Sequence, residues 1–458
     1  MTGQTTTFAL VNQTGSANAY AYITGLDLNN NNSPIFVQAD GATVYRPVSP
    51  SSTLQPLAAD VAISLGSPGS TRNVTVPRIA GGRVWFVIGA RLTFLLNPGP
   101  AIVEPSVTNP SDKNYSLNWG FCEFTFNADQ LFVNISYVDF VALPIALNLR
   151  NRQGRQQVVR GLPPGGLDAV VAKLEQQQAK DNAGWAQLVV KAADGSNLRA
   201  LSPNSARVMN NALFQGYYQA YVDQVWAKYT SQDLTINTQA QWGNQTGRVA
   251  PSTGLLTFPG IGTFAKPTAG DIFTCSTGPF GSYPDATRDA MGNLGARIAA
   301  SLNRTTLLAN PQQPDGEKVS SYYAGVAATG AAAGVANHYS RILHEVNLDG
   351  RGYAFPYDDV VPSGTGQPEQ AGTAFDGDPD VLTITLGSLK AAGAAAGARE
   401  AEVATERGDV GTEAGKVVDP GDAGQQAPDG QQRKQELRRR SLKARIGSVT
   451  SRMKKVLA

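Results

Sequence analysis

The chain of 458 residues is poor in the side chains that most catalytic and metal centres use, with only two cysteines, Cys122 and Cys275, and two histidines, His338 and His344. Two thiols cannot build a disulfide-dense scaffold or a Cys-rich zinc module. Cys122 alternates with phenylalanines on an apolar strand face, so free thiols are expected. The histidines lie six apart in a helical stretch, not four, so they do not share a face as a zinc pair would. They read as packing or capping residues, and no metal and no cofactor is expected. No apolar run reaches 18 residues, which excludes a transmembrane helix. Charge is also scarce, at 16% of residues, and the net +2 is unevenly spread. From Ser388 onward 14 Lys/Arg meet 9 Asp/Glu, which leaves 24 basic against 27 acidic residues before it. The body is mildly acidic and does not look like a nucleic-acid binder. The N-terminus has no basic or apolar leader pattern and reads as a first strand rather than a signal peptide. What remains for chemistry is carboxylates, hydroxyls and aromatics.

Glycine (48), proline (27) and a 41% hydrophobic content describe a loop-rich, mainly β protein with real cores. β-branched and aromatic runs at 8–11, 20–23, 34–37 and 84–96 predict short strands of a barrel or sandwich. The character changes near Leu149. Leu167, Val170, Val171 and Leu174 follow a helical period. A longer helix is predicted from Pro203, with Val208, Leu213, Tyr217, Tyr221, Val225 and Trp226 as its stripe. Residues 285–302 and 317–346 also read as helices, with extended pieces at 234–238 and 271–275. Strand signals return at 353–357 and 381–386. The order predicts a β domain (1–148 and 349–387) interrupted by an inserted α/β domain (149–348), because domain ends often lie close together. Residues 388–458 read as a disordered tail. Its end, 433–458, has ten Lys/Arg against Glu436 alone, which suits a solvated tail or, alternatively, an anionic surface partner.

The most informative stretch is Leu-Asn-Trp-Gly-Phe-Cys-Glu-Phe-Thr-Phe-Asn at 117–127. Strand alternation puts Cys122, Phe124 and Phe126 on one face and Trp119, Phe121, Glu123, Thr125 and Asn127 on the other. A carboxylate, a hydroxyl and an amide beside aromatics are what a sugar-binding surface needs: polar partners for hydroxyls and flat apolar faces for C–H surfaces. The same pattern also fits an ordinary half-exposed strand.

Residues 128–130 read as the turn to a second strand, Phe-Val-Asn-Ile-Ser-Tyr-Val-Asp-Phe-Val at 132–141. Asp139 stands in apolar company that strict alternation would bury. Either a bulge re-aims it or it is partly desolvated. A tight turn would set Asp139 three or four residues beyond the position opposite Glu123, on the order of 10 Å along the strand. Carboxyls more than about 6.5 Å apart suit an inverting glycosidase, and about 5–5.5 Å a retaining one. Asp358 and Asp359 could line a groove or hold a cation, although turn residues ahead of Pro362 fit the pattern better.

Together these segments resemble the β-1,3-glucanases of glycoside hydrolase family 64, with a thaumatin-like β domain. The resemblance rests on Cys-Glu-Phe-Thr-Phe-Asn at 122–127, Asn-Ile-Ser-Tyr-Val-Asp-Phe-Val-Ala-Leu-Pro at 134–144, Asp-Ile-Phe-Thr-Cys-Ser-Thr-Gly-Pro-Phe at 271–280, Asp-Gly-Arg-Gly-Tyr-Ala-Phe-Pro-Tyr-Asp-Asp at 349–359 and Phe-Asp-Gly-Asp-Pro at 375–379. It spans nearly all of residues 1–387, and fungal members look closest. It implies an inverting endo-hydrolase of laminarin- or curdlan-type β-1,3-glucan, with Glu123 as acid and Asp139 as base. Thr125, Asn127, Phe132, Trp119 and Asp358 would then bind substrate. It further implies a monomeric protein of the extracellular space or cell wall, although an intracellular one is left open by the missing leader. The alternatives from other classes are a glucan-binding wall protein that does not cut, and a structural surface protein anchored by its basic tail.

Overall fold

Alternating apolar positions pair the strands into two main sheets. The computed structural model describes residues 2–309, 319–327, 333–361 and 370–391, so the tail beyond 391 lies outside the described residues. The first sheet has five strands in the order Gln156–Val159, Ile145–Asn151, Pro379–Leu386, Thr5–Asn12 and Thr71–Pro77. Its two central neighbours, Thr5–Asn12 and Pro379–Leu386, run parallel although they come from opposite ends of the sequence. The second sheet runs from Thr373–Asp376 through Leu131–Ile135, Asn118–Phe126, Ile79–Ile88 and Ala19–Asp27 to Ser33–Val37 and Val44–Tyr45.

The sheets meet through their apolar faces. Cys122, Phe124 and Phe126 are at most 2% exposed, and the Phe124 ring meets Phe8 of the other sheet edge-on, with centroids 5.0 Å apart. Gly82, opposite Phe124 in the neighbouring strand, makes this possible. A Cβ there would lie 2.5 Å from the ring. This inward row leaves Glu123 and Thr125 on the outer face. Cys122 and Cys275 are both buried free thiols, as expected.

The middle of the chain supplies helices Gly166–Asp181, Gln219–Ser231, Arg288–Asn303 and His338–Val346 and two small sheets. Several sequence expectations change here. The run at 84–96 is two strands, because the chain turns at Gly89 (φ 87°) after Ile88. The long helix from Pro203 is two, Pro203–Met209 and Gln219–Ser231, separated at Phe214 (φ 59°) and Gly216 (φ 74°), and Val208 faces solvent. Residues 271–275 are not extended but end helix Ala269–Thr274. A capping box between Thr268 and Asp271 starts that helix, a Thr-x-x-Asp signal visible in the sequence. In 317–346 the described residues are α-helical only over His338–Val346. Residues 353–357 form no strand: Tyr353 makes one bridge to Ser136, and Tyr357 turns with φ 70°. A boundary at Leu149 would fall inside strand Ile145–Asn151, whose sheet continues to Val159. Among the described residues no helix is long and apolar enough to cross a membrane.

Candidate active site

Antiparallel register lines up Thr24, Arg83, Glu123, Asn134 and Thr373 across five neighbouring strands. Directly opposed residues share a face, so this row lies on the outer side of the second sheet. Other chain segments cover one side of the row and leave the other open. On the covered side, Phe121 packs on Trp85 (5.0 Å between centroids) and Trp119 on Phe140 (4.8 Å). On the open side stand Thr125 and, opposite it, Phe132 and Phe375. Phe132 is half-buried and stacks on Phe375 at 6.4 Å and 22°, while Phe375 is 52% exposed.

Trp119 is therefore not a sugar platform. It is 1% exposed, its indole N–H donates to the Asn114 carbonyl at 2.9 Å, and the buried Arg199 guanidinium lies 5.7 Å from its ring. The alternation was right, but the outer face of a sheet is not all solvent.

Arg83 is the charge at the centre of the row. Its Nη1 donates to Glu104 Oε2 at 2.6 Å. Its Nη2 and Nε donate to Glu123 Oε1 at 3.2 and 3.4 Å. The guanidinium also lies 4.6 Å from the Phe121 ring centroid and 5.2 Å from that of Trp85, so it rests on the covered aromatics while facing the carboxylates. Burial works against its charge. Glu104, Glu123 and Asp139 outweigh that and hold it above its ordinary range. Asp139 thus acts on the same cation as Glu123.

Asp139 reaches this place because the chain leaves the second sheet. Strand Leu131–Ile135 ends, the backbone bends at Val138 and Asp139, and Phe140–Val141 pairs instead with Asn197–Leu201. The bend is held from several sides. The Ser202 N–H donates to the Asp139 carbonyl at 3.0 Å and the Tyr137 N–H to the Tyr353 carbonyl at 2.7 Å. The Tyr339 hydroxyl donates to the Tyr137 carbonyl at 2.8 Å. Asp139 is half-buried, as is Glu123. The register corrects one estimate. Four residues, 127–130, connect the strands, and Asn134 faces Glu123, so Asp139 lies five residues beyond that position and after a bend.

The β-1,3-glucanase family model matches residues 4–386. The chain belongs to glycoside hydrolase family 64. A crystal structure of a laminaripentaose-producing β-1,3-glucanase in complex with laminaritetraose is 30% identical, with a TM-score of 0.72 over 85% of this chain and all of that one. A β-1,3-glucanase domain from Clostridium beijerinckii, 18% identical with a TM-score of 0.63 over 84% of this chain and 98% of that one, shares the fold. A glucan endo-1,3-beta-glucosidase of Cellulosimicrobium cellulans is 27% identical over 318 residues, 68% of this chain and 53% of that protein. The chain spans about half the length of the curated relatives it matches. These named organisms are bacterial, although the sequence had suggested fungal kinship.

Two further family-derived expectations change their meaning. Asn127 sits at the hairpin turn, where its side-chain oxygen accepts the N–H groups of Asp129 and Gln130, both at 2.9 Å. Asp358 is fully buried and lines no groove. It lies 3.0 Å from an Arg304 nitrogen and 3.1 Å from His344 Nε2, and accepts the Ala354 N–H. Burial disfavours its charge, but His344 and Arg304 outweigh this and hold its carboxyl below the usual range. Asp358 therefore ties down the segment that carries Tyr353. His338, neutralised by burial to a pKa of about 4, packs edge-on against Trp185.

Sequence reasoning missed Arg83 and Glu104. Arg83 had a signal: a lone charge inside the apolar strand Ile79–Ile88. Glu104 had none, since it follows a short strand, Ala101–Val103, of a separate sheet.

Asp358→Asn leaves Arg304 buried without its counter-charge and should cost about 3–5 kcal/mol of stability at neutral pH. The carboxyl's lowered pKa means that wild-type protein keeps this contribution above the ordinary carboxylate range and loses it as pH falls below. Urea unfolding should therefore separate the two proteins at about pH 7 and bring them together only as pH falls through the lowered pKa, below the ordinary carboxylate range. Tyr339→Phe removes the hydroxyl that holds the Tyr137 carbonyl. It leaves a buried acceptor unpaired and should cost about 1–3 kcal/mol of stability, as urea unfolding would report.

Proposed function

We propose that this chain cleaves β-1,3-glucan internally by hydrolysis with inversion of the anomeric carbon. The observation that carries the reading is Glu123, hydrogen-bonded to a buried arginine whose charge Asp139 also favours, beside the open, aromatic-edged half of a sheet. Glu123 is the general acid. Its Oε1 is turned to Arg83, so the proton to be donated belongs on Oε2. Asp139, reached by the bend after the hairpin, is the base that draws a proton from water on the opposite face of the sugar. Thr125 offers a hydroxyl to the glucan, and Phe132 with Phe375 offers flat apolar surface for the C–H faces of a ring. Family membership and the structural relative bound to laminaritetraose support the substrate class. A polymeric substrate cannot enter a cell intact, which favours action outside it.

The test is incubation with laminarin, with reducing ends followed by chromatography and the first-formed anomer by proton NMR. The expected products are oligosaccharides of inverted configuration. Glu123→Gln and Asp139→Asn should each lower kcat by about 10²- to 10⁴-fold while leaving laminarin binding measurable by calorimetry. Binding by the wild type without any cleavage would return the chain to the non-cutting class, and first products of retained configuration would remove the water-activating role of Asp139.

A further inference from the structure

We infer that Glu104 is a positioning residue for the reaction: it draws the Arg83 charge away from Glu123, so that Glu123 can hold the proton it donates. The inference deepens the proposed mechanism and rests on Glu123 being its acid.

A guanidinium beside a carboxyl favours the ionised carboxylate. An acid catalyst 3.2 Å from a buried arginine is therefore at a disadvantage unless that arginine is already matched. Glu104 supplies the match. It holds the Nη1 end at 2.6 Å, the shorter of the two contacts. It reaches Arg83 from outside the sheet, after strand Ala101–Val103, and its side chain is 30% exposed. Arg83 cannot retreat, since Phe121 and Trp85 back its guanidinium and only 10% of its side chain is exposed. The ionisable groups that bear on Glu123 come from every side of the cluster. Among the described residues they include Arg83 in the adjacent strand, with Glu104 and Asp139 acting on that same cation, and the buried Cys122 thiol on the reverse face. Tyr339 bears on Asp139 from its helix. The opposing residues Asn134 and Thr373 carry no charge. Arg83 bridges Glu104 and Glu123, so removing a carboxylate from it shifts the balance at Glu123 directly.

Glu104→Gln keeps the shape and deletes the charge. Arg83 then acts undivided on Glu123 and Asp139, and both should bind protons less tightly. The acid must be protonated, so the basic limb of the pH–kcat profile should move to lower pH, on the order of one unit. The acidic limb, set by the base, should move the same way or stay. KM should change little, and Glu104→Asp should restore most of the basic limb. A carboxyl-¹³C NMR titration, with Glu123 assigned by its loss in Glu123→Gln, reads the same shift without catalysis. That separates the two claims: a downward Glu123 shift with an unmoved pH–rate profile retains the coupling and removes Glu123 as the acid. A lower kcat with both limbs in place and no change in the Glu123 titration would make Glu104 a structural contact only and overturn the inference, as would no change at all.

Discussion

The site depends on a single buried guanidinium that two carboxylates grip and a third supports electrostatically. Arg83 lies in the middle of an apolar strand, where an isolated charge would be costly, and Glu104, Glu123 and Asp139 make it tolerable. Each of these comes from a different part of the chain: a strand of the same sheet, the residue after a strand of a separate small sheet, and a bend that leaves the sheet altogether. The cation is thus a structural knot that ties Glu123 to Glu104. It also links Glu123 and Asp139 electrostatically, which the proposed acid–base pair would use.

The rest of the fold serves this face in two ways. The Phe8–Phe124 contact, with Gly82 yielding space, fixes which side of strand Asn118–Phe126 points out. The middle of the chain then covers part of that outer side with Phe140 and Arg199, and its hydrogen bonds from Ser202 and Tyr339 hold the bend that carries Asp139. Asp358, with Arg304 and His344, anchors the segment that supports the bend through Tyr353. The α/β region is therefore part of the site's framework.

Much of this was legible in the sequence where a local rule sufficed. The two faces of 117–127, the hairpin, the burial of Cys122 and helix Gly166–Asp181 follow from period and turn chemistry alone. What escaped depended on long-range contacts. Trp119 looks like a sugar platform until Phe140 and Arg199 cover it. Asp358 reads as a surface turn until Arg304, 54 residues earlier, meets it in the core. Glu104 has no local pattern to mark it. The helix at Ala269–Thr274 was a different kind of miss, since its Thr-x-x-Asp cap is a local signal.

The central proposal is that a glucan chain enters from the open side of the Arg83 row and sets one glycosidic bond within reach of both Glu123 and Asp139. A crystal structure of the Glu123→Gln protein with a laminarin oligosaccharide tests it most directly. The account predicts a glycosidic oxygen beside residue 123, a water between the anomeric carbon and Asp139, and a sugar ring against Phe132. A sugar chain bound away from both carboxylates, or an anomeric carbon in direct contact with Asp139 and no space for water, would contradict it.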